Sequence, residues 1–292
     1  MQPARYGECY LNLYHYTRFG TEVRIGIRNY LQNAKGQQSI NALALQGRLF
    51  NAINRKLGKS GSSVPANFDI FQYPYIRNNL SRVFMGKGAP DEIQDCLWLM
   101  DQLEMIDNMT VNWVCDQNLG VDCGGFVCNY WGMGRPSLGA EAPIGWSGML
   151  PRDIWNMNPQ NRRTHHSQVQ TGDAAIFFKD VKDNDPNIVA RKLASGAYDT
   201  ASGSQAFHIG LVDDLVTRTG EDGESVWLGI TQSSGAKRSS GFNGVHSSVG
   251  TFSLQSARGL VYCRDDDTGN RIYFTGPSSQ GSPYLPWGVG EE

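Results

Sequence analysis

The chain has 292 residues, of which 40% are hydrophobic and 18% charged, with 34 glycines and a formal net charge of −2. That length holds one large domain or two smaller ones with a core that needs no staples, and the glycine content speaks for a loop-rich, mixed α and β protein. Scattered Lys and Arg offer no basic stripe to a phosphate backbone, which argues against nucleic acid as a partner; no apolar run is long enough to predict a membrane span; and Cys9, Cys96, Cys115, Cys123, Cys128 and Cys263 are too sparse and uneven for a disulfide framework, although a single disulfide is compatible with them.

Residues Met1 to Tyr16 are polar and aromatic, without a basic start, apolar stretch or small-residue cleavage site, so no Sec-type export signal is expected. From Gln38 to Leu57, the spacing of Ile40, Ala42, Leu43, Leu45, Leu49, Phe50, Ile53 and Leu57 predicts a helix, and the Gly, Ser and Pro of Gly58 to Pro65 predict a loop or subdomain boundary. A second helix is expected after Pro90, where Asp91 and Glu92 suit the positive end of the helix dipole, running through Ile93, Leu97, Met100 and Leu103.

Beyond Gly132 the texture turns to Gly, Pro, Ser and Asn, and then to short β-like runs at Ala174–Phe178, Ala206–Val212, Val226–Thr231, Gly259–Arg264 and Arg271–Thr275. Thr219-Gly220-Glu221-Asp222-Gly223 and Asp267-Thr268-Gly269-Asn270 carry the residues hairpin turns require, so an antiparallel sheet follows the helical half. The tail after Gly276 is expected to be an irregular wrap or a loose end.

The chemistry concentrates in Val121-Asp122-Cys123-Gly124-Gly125-Phe126-Val127-Cys128-Asn129-Tyr130-Trp131. Phe126, Val127, Tyr130 and Trp131 would form the apolar face of a helix with Cys123 in its first turn, where the positive helix end favours thiolate, the nucleophilic form. Gly124 and Gly125 are poor helix formers, so something is expected to approach the backbone closely there, a substrate carbonyl being one candidate. A lone cysteine is more often a small buried apolar residue; the context decides against that here.

Asp122-Cys123-Gly124-Gly125-Phe126-Val127 resembles the Asp-Cys-Ser-Gly-Phe/Leu-Val nucleophile motif of NlpC-type peptidases, with Gly124 where the family usually has Ser. Gln170-Thr171-Gly172-Asp173-Ala174-Ala175-Ile176-Phe177-Phe178 resembles the family's Pro-Gly-Asp strand, Phe207-His208-Ile209-Gly210-Leu211-Val212 its His-Val-Gly-Ile strand, and Ile230-Thr231-Gln232-Ser233-Ser234-Gly235 its Ile-His-Ser-Ser-Gly segment. The resemblance spans roughly residues 107 to 259. It implies Cys123 as nucleophile, His208 as general base and Gln232 as the group that orients His208, with Thr231 the alternative if the register slips by one. Asp122 would shape the turn, and the backbone at Cys123 and Gly124 would support the oxyanion.

Two long inserts, Gly132–Val169 and Asp180–Gln205, are read as cleft walls, with Trp146 and Trp155 as candidate substrate contacts. His165-His166 with the cysteines lacks metal-ligand spacing, Asp183 to Asn187 lacks the Gly and Glu of a calcium loop, and neither metal nor cofactor is implied. His15 and His246 have no motif support and are read as structural or surface residues.

The resulting expectation is an α+β, papain-like fold with the Cys helix packed on an antiparallel sheet. Residues 1–106 would be a largely helical addition, 107–275 the catalytic domain and 276–292 a tail. By resemblance the reaction is hydrolysis of an amide in a peptidoglycan peptide through a thioester acyl-enzyme. With no Sec signal and no membrane span, a protein made in the cytoplasm would reach the periplasm or cell wall through a specialised secretion machine or a phage, as an antibacterial effector with a possible immunity or inhibitor protein as partner. The alternatives are a toxin that cleaves or deamidates a host protein, and a catalytically inactive binding module.

Overall fold

A computed structural model describes residues 1–31, 36–56, 58, 76–133, 150–157, 159–180, 198–199, 204–220, 223–235, 243–257, 259–267, 269–277 and 281–289. The helical half runs α1 (Pro3–Leu11), a hairpin of β1 (Leu13–Tyr16) and β2 (Glu22–Ile25), α2 (Gly36–Lys56), α3 (Ile76–Phe84), α4 (Pro90–Gln102), α5 (Val111–Asn118), α6 (Cys123–Tyr130) and α7 (Pro151–Met157). The expected helices at residues 38–57 and after Pro90 correspond to α2 and α4. The latter opens with Pro90, Asp91 and Glu92, and the Glu92 carboxylate accepts the Ala89 N–H at 2.8 Å. None of the described helices is long and apolar enough to cross a membrane.

After two 3-10 turns, at Pro159–Asn161 and His166–Gln168, come β3 (Ala174–Asp180), β4 (Tyr198–Asp199), β5 (Ser204–Gly220), β6 (Gly223–Ser234), β7 (Gly244–Ala257), β8 (Leu260–Arg264) and β9 (Arg271–Thr275). The five β-like runs all form strands. The Ser- and Gly-rich β7 has too little alternation to announce itself in the sequence.

The α+β class holds, but the sheet departs from the papain-like arrangement expected. The order β3-β9-β8-β7-β6-β5 returns to β3, so six antiparallel strands close into a barrel, with β4 appended to β5. Closure depends on the length of β5: residues 204–211 pair with β3 and residues 211–220 with β6, Leu211 having partners on both sides. Bulges at Phe177/Phe178 and Val212/Asp214 supply the bending that a closed sheet requires.

Strand alternation produces two cores. Ala175, Val212, Val226, Leu228, Ile230, Val261, Cys263, Ile272 and Phe274 fill the barrel. Side chains of the opposite parity, including Ala174, Ile176, Phe178, Ile209, Leu211 and Tyr273, join Tyr6, Leu49, Leu97 and Phe126 in a second core beneath the helices. That second core runs across the expected boundary at residue 106. Here α1 lies on the barrel, and Gly7 is there because a β-carbon would come within 3.1 Å of the Thr231 and Val245 methyls. The tail is a wrap: Tyr284 N–H donates to Asn129 O, and Trp287 N–H to the Gln94 side-chain oxygen at 2.6 Å.

Candidate active site

The start of α6 is built by its own sequence and by a strap from residues 86–88. Asp122 is the N-cap, with extended backbone and a carboxylate that accepts the Gly125 N–H at 2.6 Å. The same carboxylate is bound by Lys87 Nζ, 2.8 Å from Oδ1 and 2.7 Å from Oδ2, with both side chains almost fully buried. Burial works against the Lys87 charge, and Asp122 overrides it, holding the ammonium pKa above its ordinary value.

Gly125 is required because a β-carbon there would lie 2.5 Å from Gly86 O and 2.9 Å from Lys87 Cα. The group that approaches this backbone is therefore the strap, and the expectation of a substrate carbonyl at Gly125 is corrected. Gly124 is the second residue of α6, buried beside the capping residue Asp122.

Cys123 is the first residue of α6, buried at 6% exposure. Its Sγ lies 3.8 Å from Tyr30 Oη. Burial, then the Asp122 charge, push the thiol up to about 11, against the lowering influence of Lys87, Tyr30 and the Ile209 N–H. The helix-start expectation of a thiolate is thus reversed in the resting site. A helix dipole contributes about 0.3–1 kcal/mol, less than one pKa unit, whereas burial shifts a thiol by several units.

The residue before Ile209 is His208, whose Nε2 lies 2.6 Å from Gln232 Oε1. Its ring centroid is 5.2 Å from that of Phe177, its partner on β3. Gly210 makes the Gln232 contact possible: a β-carbon there would meet Ile230 Cγ2 at 2.6 Å and Gln232 Cβ at 3.0 Å. The register puts Thr231 on the other face of β6, where its hydroxyl bonds Asp213 and Ser247, so Gln232 and not Thr231 meets the imidazole.

The structure thus places Asp122, Cys123 and Gly124 at the start of α6 and pairs His208 on β5 with Gln232 on β6. Trp155 does not belong with them. It is 1% exposed, packed at 5.3 Å from Phe178 and 5.6 Å from Tyr273 with Arg162 over its ring, so its reading as a substrate contact is corrected to a core residue. Contacts with two aromatic rings and the guanidinium over its face hold the large ring inside. Trp146 lies outside the described residues, as do Asp183 to Asn187.

Three participants had no motif to reveal them. Tyr30 comes from the chain after β2, Lys87 from the turn before α4, and His246, read as structural or surface, stands beside Gln232 on β7. A lysine between two glycines ahead of a helix was the only local signal for the strap. The six cysteines are all free thiols, and among the described residues no three His, Cys, Asp or Glu side chains gather as a metal site. No protein-family model, curated protein or solved structure matches the chain.

Proposed function

We propose that the chain is an NlpC-type cysteine hydrolase that cleaves an amide bond in peptidoglycan peptides through a thioester acyl-enzyme. One observation carries the reading: α6, with a thiol in its first turn, packs on the strand β5 that carries a histidine oriented by a glutamine. The family relation rests on these motifs and their order, and the closed barrel lends it no support.

Gln232 Oε1 can only accept, so His208 Nε2 carries the proton and Nδ1 is the basic nitrogen. With Cys123 resting as the neutral thiol, its proton passes to His208 Nδ1 as Sγ attacks the substrate carbonyl. The backbone N–H of Cys123, free of an intrahelical partner at a helix start, and the Tyr30 hydroxyl beside Sγ are the donors available to the tetrahedral oxyanion. The imidazolium then protonates the leaving amine, and water activated by His208 hydrolyses the thioester. Delivery as an effector, by a specialised secretion machine or a phage, is part of this proposal.

The test is mass spectrometry of peptidoglycan fragments incubated, under reducing conditions, with wild type and with Cys123→Ala. Peptide-cleaved products from wild type alone are expected, and identical spectra would remove the cell-wall reading. Against the substrate so found, His208→Ala should lower kcat by about 10²–10⁴-fold, the usual contribution of a general base.

Burial of the thiol favours a second reading, an inactive binding module. That reading predicts that Cys123 reacts with iodoacetamide at neutral pH no faster than free cysteine and that no peptide or protein amide is turned over.

A further inference from the structure

His246 stands directly opposite Gln232 in the β6/β7 register. Its Nδ1 lies 3.0 Å from Gly244 O. A carbonyl only accepts, so Nδ1 carries the proton and, in the neutral ring, Nε2 is an acceptor. That Nε2 is 3.4 Å from Gln232 Nε2, and the same amide nitrogen is 3.3 Å from Ser248 Oγ. The Gln232 amide hydrogens thus face His246 and Ser248, and its carbonyl faces His208. The reversed amide would set Oε1 against a lone pair of His246.

We propose that His246 is a positioning residue: acting through Gln232, it fixes His208 in the tautomer that carries its proton on Nε2 and so keeps Nδ1 basic. The polarity is transmitted across three neighbouring strands, from Gly244 O through His246 and Gln232 to His208. Ser248 alone does not impose it, because a hydroxyl both donates and accepts and would bond either end of the amide. The proposal rests on the reading of His208 as general base, and it deepens that reading by naming what orients the orienting glutamine.

The test is 15N NMR of the full-length chain labelled at its five histidines, at a pH where the rings are neutral, with His208→Ala and His246→Gln assigning the signals. In wild type, His246 is expected to carry its proton on Nδ1 and His208 on Nε2. In His246→Phe the His208 Nδ1 signal should shift from the unprotonated toward the protonated position as the amide loses its anchor. His246→Gln, whose side-chain oxygen accepts from Gln232, should restore the wild-type His208 signals. Wild-type His246 protonated on Nε2, or an unshifted His208 in a folded His246→Phe protein, would overturn the proposal; should the Phe variant not fold, the wild-type tautomers decide. The reading of His208 as base fails separately, if His208→Ala leaves the rate of Cys123 alkylation at wild-type level.

Discussion

Asp122 and Cys123 are adjacent in the chain and opposed in effect. The carboxylate is needed to cap α6 and to bind Lys87, yet its charge raises the thiol that the helix presents. Asp122→Asn keeps an oxygen for the Gly125 N–H and removes the charge, leaving Lys87 nearby. Cys123 should then ionise at lower pH, and its alkylation at neutral pH should quicken by about tenfold for each unit the thiol falls. The same change strands a buried ammonium, at a cost of about 3–5 kcal/mol. Alkylation rates and urea denaturation read the two effects. A slower alkylation would show that Asp122 does not govern the thiol. At this scale the place of Cys123 at the start of a helix and the pairing of His208 with Gln232 were legible because each sits in a short local motif. Tyr30, Lys87 and His246 were not, because their roles come from distant segments brought to the site.

Among the elements, the strap before α4 is the least expected part of the site. Gly86 O accepts the Asp122 N–H at 2.8 Å, Lys87 O accepts from Arg82 and Asn129, and Gly88 O accepts from the Tyr10 hydroxyl. Gly86 has φ +75°, and a β-carbon there would stand 2.0 Å from Leu31 O. Gly86→Ala should therefore cost at least about 1–3 kcal/mol, from left-handed backbone strain, with further loss from the clash. It should also change the alkylation rate of Cys123, since Lys87 is carried on the strap. An unchanged urea midpoint would count against the strap as a brace of α6. The helices α2 and α4 and five of the strands could be anticipated from apolar spacing. The hairpin β1–β2 is too short, and β7 too polar, for periodicity to reveal them.

For the whole molecule, closure of the barrel and the shared core of the two halves set where the ionisable groups are buried. Cys96, Cys115, Cys123, Cys128 and Cys263 are each raised above the ordinary thiol by burial, Cys128 and Cys263 up to about 12. A folded-state pKa above the unfolded one means that the folded protein holds its proton longer. Its stability is intact below the unfolded thiol pKa of about 8.5 and falls as pH rises beyond it. Each such thiol should remove about 1.4 kcal/mol per pH unit once its unfolded form is ionised. The urea midpoint, measured in reducing buffer, should be steady from pH 7 to 8 and drop steeply by pH 10. A flat profile would mean that these thiols are not buried in solution.

What the sequence by itself determined was local: the mixed helix and sheet class, the longer helices, most of the described strands, the helix start at Cys123 and the strand that carries His208, since apolar spacing and turn chemistry act over a few residues. Only the tertiary structure decided that β5 is long enough to pair with β3 and β6 in turn and close a barrel, that residues 1–106 share one core with the barrel-forming half, and that Gln232 and not Thr231 meets His208. It also decided the resting state of Cys123. A helix start favours the thiolate by a small, local amount, while burial and a neighbouring carboxylate, set by long-range packing, outweigh it.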